Sequence, residues 1–175
     1  MSVLLTSSDY IKSHSGLNDN TYDKMILPAL ERAQDISLEE ALGKCLVTTL
    51  KNKVSDGSIA TPENILYKTL LDDYVQPFLT YTVLANITLE LGQVMGNGGI
   101  DFLTDDHRTS LSFDERGQYK DYWLHNADAY KVKMMNFLKE NCNALPEFQS
   151  CCKKDEGISA ACSIFLGGKG GSFVL

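Results

Sequence analysis

The sequence predicts a mainly α fold, a helical bundle with a projecting loop or β-hairpin and an extended C-terminal arm. Three observations carry that expectation. Apolar residues recur at three- and four-residue spacing through most of the chain as far as Asn141. Capping residues and a proline at a first helical position alternate with glycine stops. The final stretch is too apolar for a solvated tail and too glycine-rich for a helix, since Ile164, Phe165, Leu166, Phe173, Val174 and Leu175 surround Gly167, Gly168, Gly170 and Gly171. A length of 175 residues suits one domain with appendages. The reading is a helical body over residues 1–150, with its projection at about 99–114, and a flexible arm over residues 151–175.

Ser7-Ser8-Asp9-Tyr10-Ile11-Lys12 predicts a short capped helix ended by Gly16. Asn18-Asp19-Asn20-Thr21 predicts the cap of a longer helix with Tyr22, Ile26, Leu30, Ala33 and Ile36 on its apolar face and a kink at Pro28. Ser37-Leu38-Glu39-Glu40 has the form of a capping box and marks a new helix or a bend. Leu38, Ala41, Leu42, Cys45, Leu46 and Leu50 continue that face to about Val54, and Ser55-Asp56-Gly57-Ser58 turns the chain. Thr61-Pro62-Glu63 starts the next helix with a threonine cap and carries Ile65, Leu66, Leu70 and Leu71 inward. Pro77 kinks or restarts it, and from Phe78 to about Val94 the residues are apolar on several sides, as in the most buried helix of a domain.

Gly92, Gly96, Gly98 and Gly99 end that helix, and Gly99–Asp114 reads as a β-hairpin or ordered loop around Thr104-Asp105-Asp106-His107. A last long helix runs from about Phe113 to Asn141 with Tyr119, Tyr122/Trp123, Asn126/Ala127, Tyr130, Met134 and Phe137/Leu138 as its stripe. Pro146 closes it.

Composition narrows the function classes. A net charge of −7 argues against general affinity for nucleic acid or anionic membrane. The longest apolar run, Val75 to Val94, is interrupted by Thr80, Thr82, Asn86, Thr88 and Glu90, so no membrane span is expected. The N-terminus lacks the basic region of a signal peptide, and a soluble, cytosolically made protein is expected. Cys45 stands alone as a small buried hydrophobe, whereas Cys142, Cys151, Cys152 and Cys162 lack the spacing of a zinc site. Reduced thiols and no metal or cofactor are the expectation.

No catalytic constellation emerges. Asp72-Asp73 and Asp105-Asp106 are adjacent pairs whose carboxylates diverge, where acid–base chemistry needs them to converge. Asp105, Asp106 and His107 supply too few ligands for a cation. His14 stands alone, and Asp121 and Asp128 flank His125 at surface-pair offsets. Gly92–Gly99 is only superficially a phosphate loop, because Lys-Ser/Thr is missing. Tyr119, Trp123 and Tyr130 read as core packing, since no basic residues interleave them for base stacking.

Four passages give the chain a family likeness: Asp9 to Leu17, Leu27 to Ile36, Tyr74 to Leu79 and Ser159 to Gly168. In these the chain resembles the head–tail connector or adaptor proteins of the phage neck, closest to those of Bacteroides and crAss-like phages. The resemblance implies a virion protein made in the host cytoplasm. It implies a dodecameric ring below the portal that prolongs the channel through which genomic DNA passes non-specifically. A terminal arm would dock on the portal or a neighbouring subunit, which assigns partner contacts to Ile164, Phe165, Leu166, Gly167, Gly168, Phe173, Val174 and Leu175. Phe102, Asp105, Asp106 and His107 of the projection would meet other neck or tail proteins. The family brings no catalytic residues and no enzyme activity. The alternatives are another helical interaction protein, such as a tail-completion protein, and a metal-assisted enzyme with its site in Gly92–Asp114.

Overall fold

Ser7 opens the first helix as its sequence foretold: its Oγ accepts from the Tyr10 N–H at 3.1 Å, and α1 spans Ser8–Ser13. The computed structural model describes residues 3–90, 93–96, 99–102 and 112–148, and these are mainly helical. The next helix, α2 (Asp23–Arg32), starts later than the capping cluster suggests. Asn18 Oδ1 accepts from the Asn20 N–H at 2.9 Å, so the cluster forms its own turn upstream and α2 has no side-chain cap. Lys12 Nζ instead ties α1 to the α2 start by meeting Asp23 Oδ1 at 2.9 Å.

Helix α2 runs through Pro28 and continues as a π-helical segment, Ala33–Leu38, before returning to α geometry in α3 (Glu39–Leu42). In a π segment hydrogen bonds reach five residues, and this one buries Ala33, Gln34 and Leu38. That shift turns Ile36 outward, and Tyr22 is exposed as well, contrary to the regular stripe. The chain at Ser37 is already helical, so no capping box forms there. Gly43 breaks the run with φ of +78°, a conformation suited to glycine. α4 (Lys44–Ser55) then buries Leu46, Val47 and Leu50 but leaves Cys45 exposed, which corrects the expectation of a buried thiol. The break at Gly43 resets the helical phase, so Cys45 falls on the outer side of α4.

Asp56 Oδ1 accepts from the Ser58 N–H at 2.8 Å in the expected turn. The Thr61 hydroxyl donates to Ser58 O at 2.8 Å and so does not cap, and Pro62–Asn64 forms a 3-10 turn before α5 (Ile65–Thr69). Tyr67 is the buried residue of α5, while Ile65 is exposed. A second π segment, Leu70–Val75, buries Leu70, Leu71 and Val75, and meets α6 (Gln76–Thr88) next to Pro77. The proline, which has no N–H to donate, thus sits where the hydrogen-bond pattern changes.

Eight of the thirteen residues of α6 are buried, and they lie on every side of the helix. α2, the first π segment and α7 (Phe113–Glu140) all pack on it. Thr80, Thr82 and Thr88 donate to carbonyls four residues back at 2.9, 2.8 and 2.6 Å, so the hydroxyls that interrupt the apolar run are satisfied within the helix. No helix among the described residues is long and apolar enough to cross a membrane.

Between α6 and α7 an antiparallel ribbon pairs β1 (Gln93–Gly96) with β2 (Gly99–Phe102), with Gly96 opposite Gly99. The strands therefore begin ahead of the expected projection at 99–114, and the Gly92–Gly99 run contains a strand where a phosphate loop was considered. The intervening sequence, Asn97-Gly98, is the dipeptide that two-residue hairpins favour. After α7, the side chain of Asn141 donates to Phe137 O at 2.9 Å and ends the helix before Pro146 is reached. Leu145 is buried, and Tyr67 donates to Glu147 Oε2 at 2.7 Å, pinning this end to α5. Burial, then the Glu147 carboxylate, pushes the Tyr67 phenol well above its ordinary range.

Buried glutamine holds the N-terminal segment. Gln34, with no exposed surface, accepts from the Leu5 N–H at 2.9 Å and donates to Val3 O at 2.9 Å. Gln76 Nε2 reaches Leu5 O at 3.4 Å from the other side. Gln34→Leu is expected to cost about 1–3 kcal/mol in urea unfolding, because the buried Leu5 N–H and the partly buried Val3 carbonyl lose their partner. Gln76→Leu, whose bond is longer, is expected to cost less. An unchanged midpoint for Gln34→Leu would show that the amide does not anchor the segment.

Candidate functional site

The candidate site is a groove at the end of the α6–α7 pair from which the ribbon departs. Its floor is dictated by the way the two helices meet. Tyr74 packs on Phe137 with ring centroids 5.0 Å apart, and Tyr81 stacks on Tyr130 at 5.6 Å and on Trp123 at 6.0 Å. Ascending positions before α7 thus meet descending positions on it, so the two helices run antiparallel. The ladder stops at Trp123. Beyond it Leu84, Ile87 and Thr88 of α6 face Arg116 and Tyr119 of α7, and Gly16-Leu17 closes one side. The resulting concavity holds about 310 Å³ and is open to solvent.

Its lining is apolar apart from Thr88, Arg116 and the Tyr119 hydroxyl. Arg116 is 7% exposed and engaged in interactions within the fold. A Cβ built on Gly16 meets nothing within 4 Å, so the glycine leaves open space at the rim. Tyr119 at 51% and Tyr122 at 57% exposure extend the aromatic surface outward, and Tyr122 meets the edge of Trp123 at 4.7 Å. Glu115, Gln118, Tyr119 and Tyr122 line a second, shallower concavity along α7, sharing Tyr119 with the groove. This surface can hold apolar side chains; it brings no nucleophile and base together.

The start of α7 is fixed by a reciprocal capping box that the sequence reading passed over. Ser112 N–H and Oγ–H both donate to Glu115 Oε2 at 2.8 Å, and the Glu115 N–H returns a bond to Ser112 Oγ at 3.3 Å. The backbone N–H of Ser112, then its hydroxyl, holds the Glu115 carboxyl below the usual glutamate range.

Trp123 and Tyr130 pack against Tyr81 as expected of core residues, whereas Tyr119 is half-exposed. His14 stacks on Tyr10 with ring centroids 3.9 Å apart, and His125 is exposed. Asp72 pairs with Lys68 one helical turn earlier. Burial, then the charge of Asp72, raises the Tyr10 phenol. Among the described residues no three His, Cys, Asp or Glu side chains gather at one point.

Of the sequence-assigned contact residues, Phe102 lies in β2 opposite Gln93. Asp105, Asp106, His107, Ile164, Phe165, Leu166, Gly167, Gly168, Phe173, Val174 and Leu175 lie outside the described residues. The groove residues Leu17, Leu84, Ile87 and Arg116 were not singled out from sequence as a site. Arg116 was within reach of pattern reading, because it sits seven residues before Trp123 on the stripe continued by Ala127, Tyr130 and Met134.

The described residues form a mainly α chain organised on an antiparallel helix pair, with an apolar groove at one end of that pair. The chain belongs to DUF6712, a family of unknown function, whose profile matches residues 38–158. No curated protein and no solved structure matches it. The family match covers the α6–α7 pair and the ribbon between them, and leaves α1 and α2 outside.

Two outcomes test this geometry. A double-mutant cycle with Tyr81→Leu and Trp123→Leu is expected to give a coupling of about 0.5–1.5 kcal/mol in chemical unfolding, and additivity would deny the stack. Folding lowers the Glu115 pKa, so its capping contribution is complete above the ordinary glutamate pKa and fades as pH falls through the lowered value. Hydrogen exchange at the first amides of α7 is expected to accelerate over that acid range, and Glu115→Gln, which removes the titrating group, is expected to remove the pH dependence.

Proposed function

We propose that the protein is a structural subunit of the phage neck, forming a ring below the portal that joins head to tail and extends the DNA channel. The observation that carries this reading is the placement of exposed large apolar residues on two separate helical faces. Tyr22 immediately precedes α2, Leu27 lies on α2 and Ile36 on the first π segment; Tyr119, Tyr122, Leu124 and Val132 lie on α7. Both elements pack on α6, so each presents a different outer surface. A ring closed by heterologous contacts needs such a pair of unlike faces on every subunit. Contiguous exposed apolar patches mark interaction surfaces, and tyrosine is among the residues enriched at their energetic centres. The likeness in residues 9–17, 27–36, 74–79 and 159–168 supports the same reading and supplies its partners: the portal, adjacent neck or tail proteins, and further copies of the chain. Its place is the virion, and the function is non-enzymatic.

Cryo-EM of the full chain mixed with the portal protein of the same genome tests the proposal. A ring seated on the portal is the expected result. Tyr122→Glu is expected to change stability by no more than about 0.5 kcal/mol, because the side chain is largely exposed, while reducing ring formation. Absence of association from low to high salt would overturn the connector role and favour another helical interaction protein.

A further inference from the structure

The groove between α6 and α7 leaves apolar surface uncovered by any described part of the chain, and the sequence contains an apolar segment of matching chemistry. We propose that the groove is the seat of the chain's own segment Ile164-Phe165-Leu166, docked within the same molecule. The occupant follows from chemistry, reach and tethering.

The walls are apolar side chains, Leu17, Leu84, Ile87 and Trp123, with Gly16 leaving room at the rim. Ile164-Phe165-Leu166 offers three consecutive large apolar side chains between small residues (Ala160, Ala161, Cys162, Ser163) and glycines (Gly167, Gly168). A short apolar run between such neighbours can enter a groove without carrying charge into it.

Reach is sufficient. The last described residue, Phe148, packs on the core near the C-terminal end of α7. The distance back along α7 from Leu138 to Trp123 is roughly 22 Å at the helical rise per residue. Residues 149–163 span up to roughly 50 Å when extended.

Tethering then favours the chain's own segment over a second copy's. A segment joined to the body through residues 149–163 of the same chain meets its own groove at an effective concentration of order mM. A copy in solution at micromolar concentration competes poorly with that. On the connector reading, on which this consequence rests, the portal competes with the groove for the segment, and the arm is stored on the body until the portal is met.

Trp123 reports on the groove directly, because it is the single tryptophan of the chain. The full-length protein is compared with the variant carrying Ile164→Glu and Phe165→Glu, with far-UV circular dichroism to show that the helices are intact. The variant is expected to move Trp123 emission to longer wavelength and to raise its quenching by acrylamide. A peptide of residues 159–171 added to the variant is expected to reverse both changes. Identical emission and quenching in the two proteins would overturn the proposal, and so would a peptide without effect. Protection of Trp123 that grows with protein concentration would also overturn it, since the occupant would then come from a second copy. These readings use the protein without its portal, so their failure leaves the ring assay standing, and failure of the ring assay leaves the seat of the segment standing.

Discussion

A helix that is apolar on every side must be covered on every side, and α6 sets that requirement for the rest of the molecule. α7 covers it along one length, while α2 and the first π segment cover it along another. Its threonines meet the same demand from within, since a buried hydroxyl without a partner would cost more than the back-bond to the preceding turn. The covering helices inherit a one-sided character. α7 buries Arg116, Ala127, Met134 and Leu138 and leaves most of its remaining surface outward. The large apolar residues exposed on α7, Phe113, Tyr119, Tyr122, Leu124 and Val132, lie outside that buried set.

The two π segments solve a related problem of phase. Each buries two adjacent residues at its start and a third at its end: Ala33 and Gln34 with Leu38, and Leu70 and Leu71 with Val75. Each also stands beside a glutamine that contacts the Leu5 peptide unit, Gln34 within the first segment and Gln76 just after the second. The side-chain amide of Gln34 offers an acceptor and a donor to the extended N-terminal segment, as a neighbouring strand would. A buried amide is tolerable only when both its ends are used, so the π geometry, the glutamine and the N-terminal segment are mutually dependent.

The sequence showed most clearly what local chemistry determines. Ser7 as a cap, the turn at Asp56-Gly57 and the limits of α7 follow from side chains bonding to nearby backbone or from a single uninterrupted period. What it hid depends on changes of period. Ile36 lies within a π segment, Ile65 just after a 3-10 turn and Cys45 just after the Gly43 break, and extending the previous period across those points assigns them inward. The ribbon was displaced for a different reason: glycines were read as helix breakers, while the turn chemistry of Asn97-Gly98 between Val94-Met95 and Ile100 pointed to strands nearby. The groove was the least legible feature. Leu17, Leu84 and Arg116 are far apart in sequence, and only the antiparallel meeting of α6 with α7 brings them together.

The outward aromatic surface can be related to the acidity of the chain. Tyr119, Tyr122 and Phe113 leave the first turns of α7 with apolar area that would promote indiscriminate association in a neutral protein. A net charge of −7 opposes close approach between copies at long range, while contact at short range still gains from burying the aromatics. Association then depends on a partner able to offset the charge or on a surface that fits well enough to outweigh it. A surface of this kind discriminates by geometry at contact and by charge before contact. An apolar segment stored in the adjoining groove would add a third condition, because the groove becomes available only when something binds the segment more tightly. Assembly would then be tied to the arrival of the intended partner, without any step of covalent chemistry.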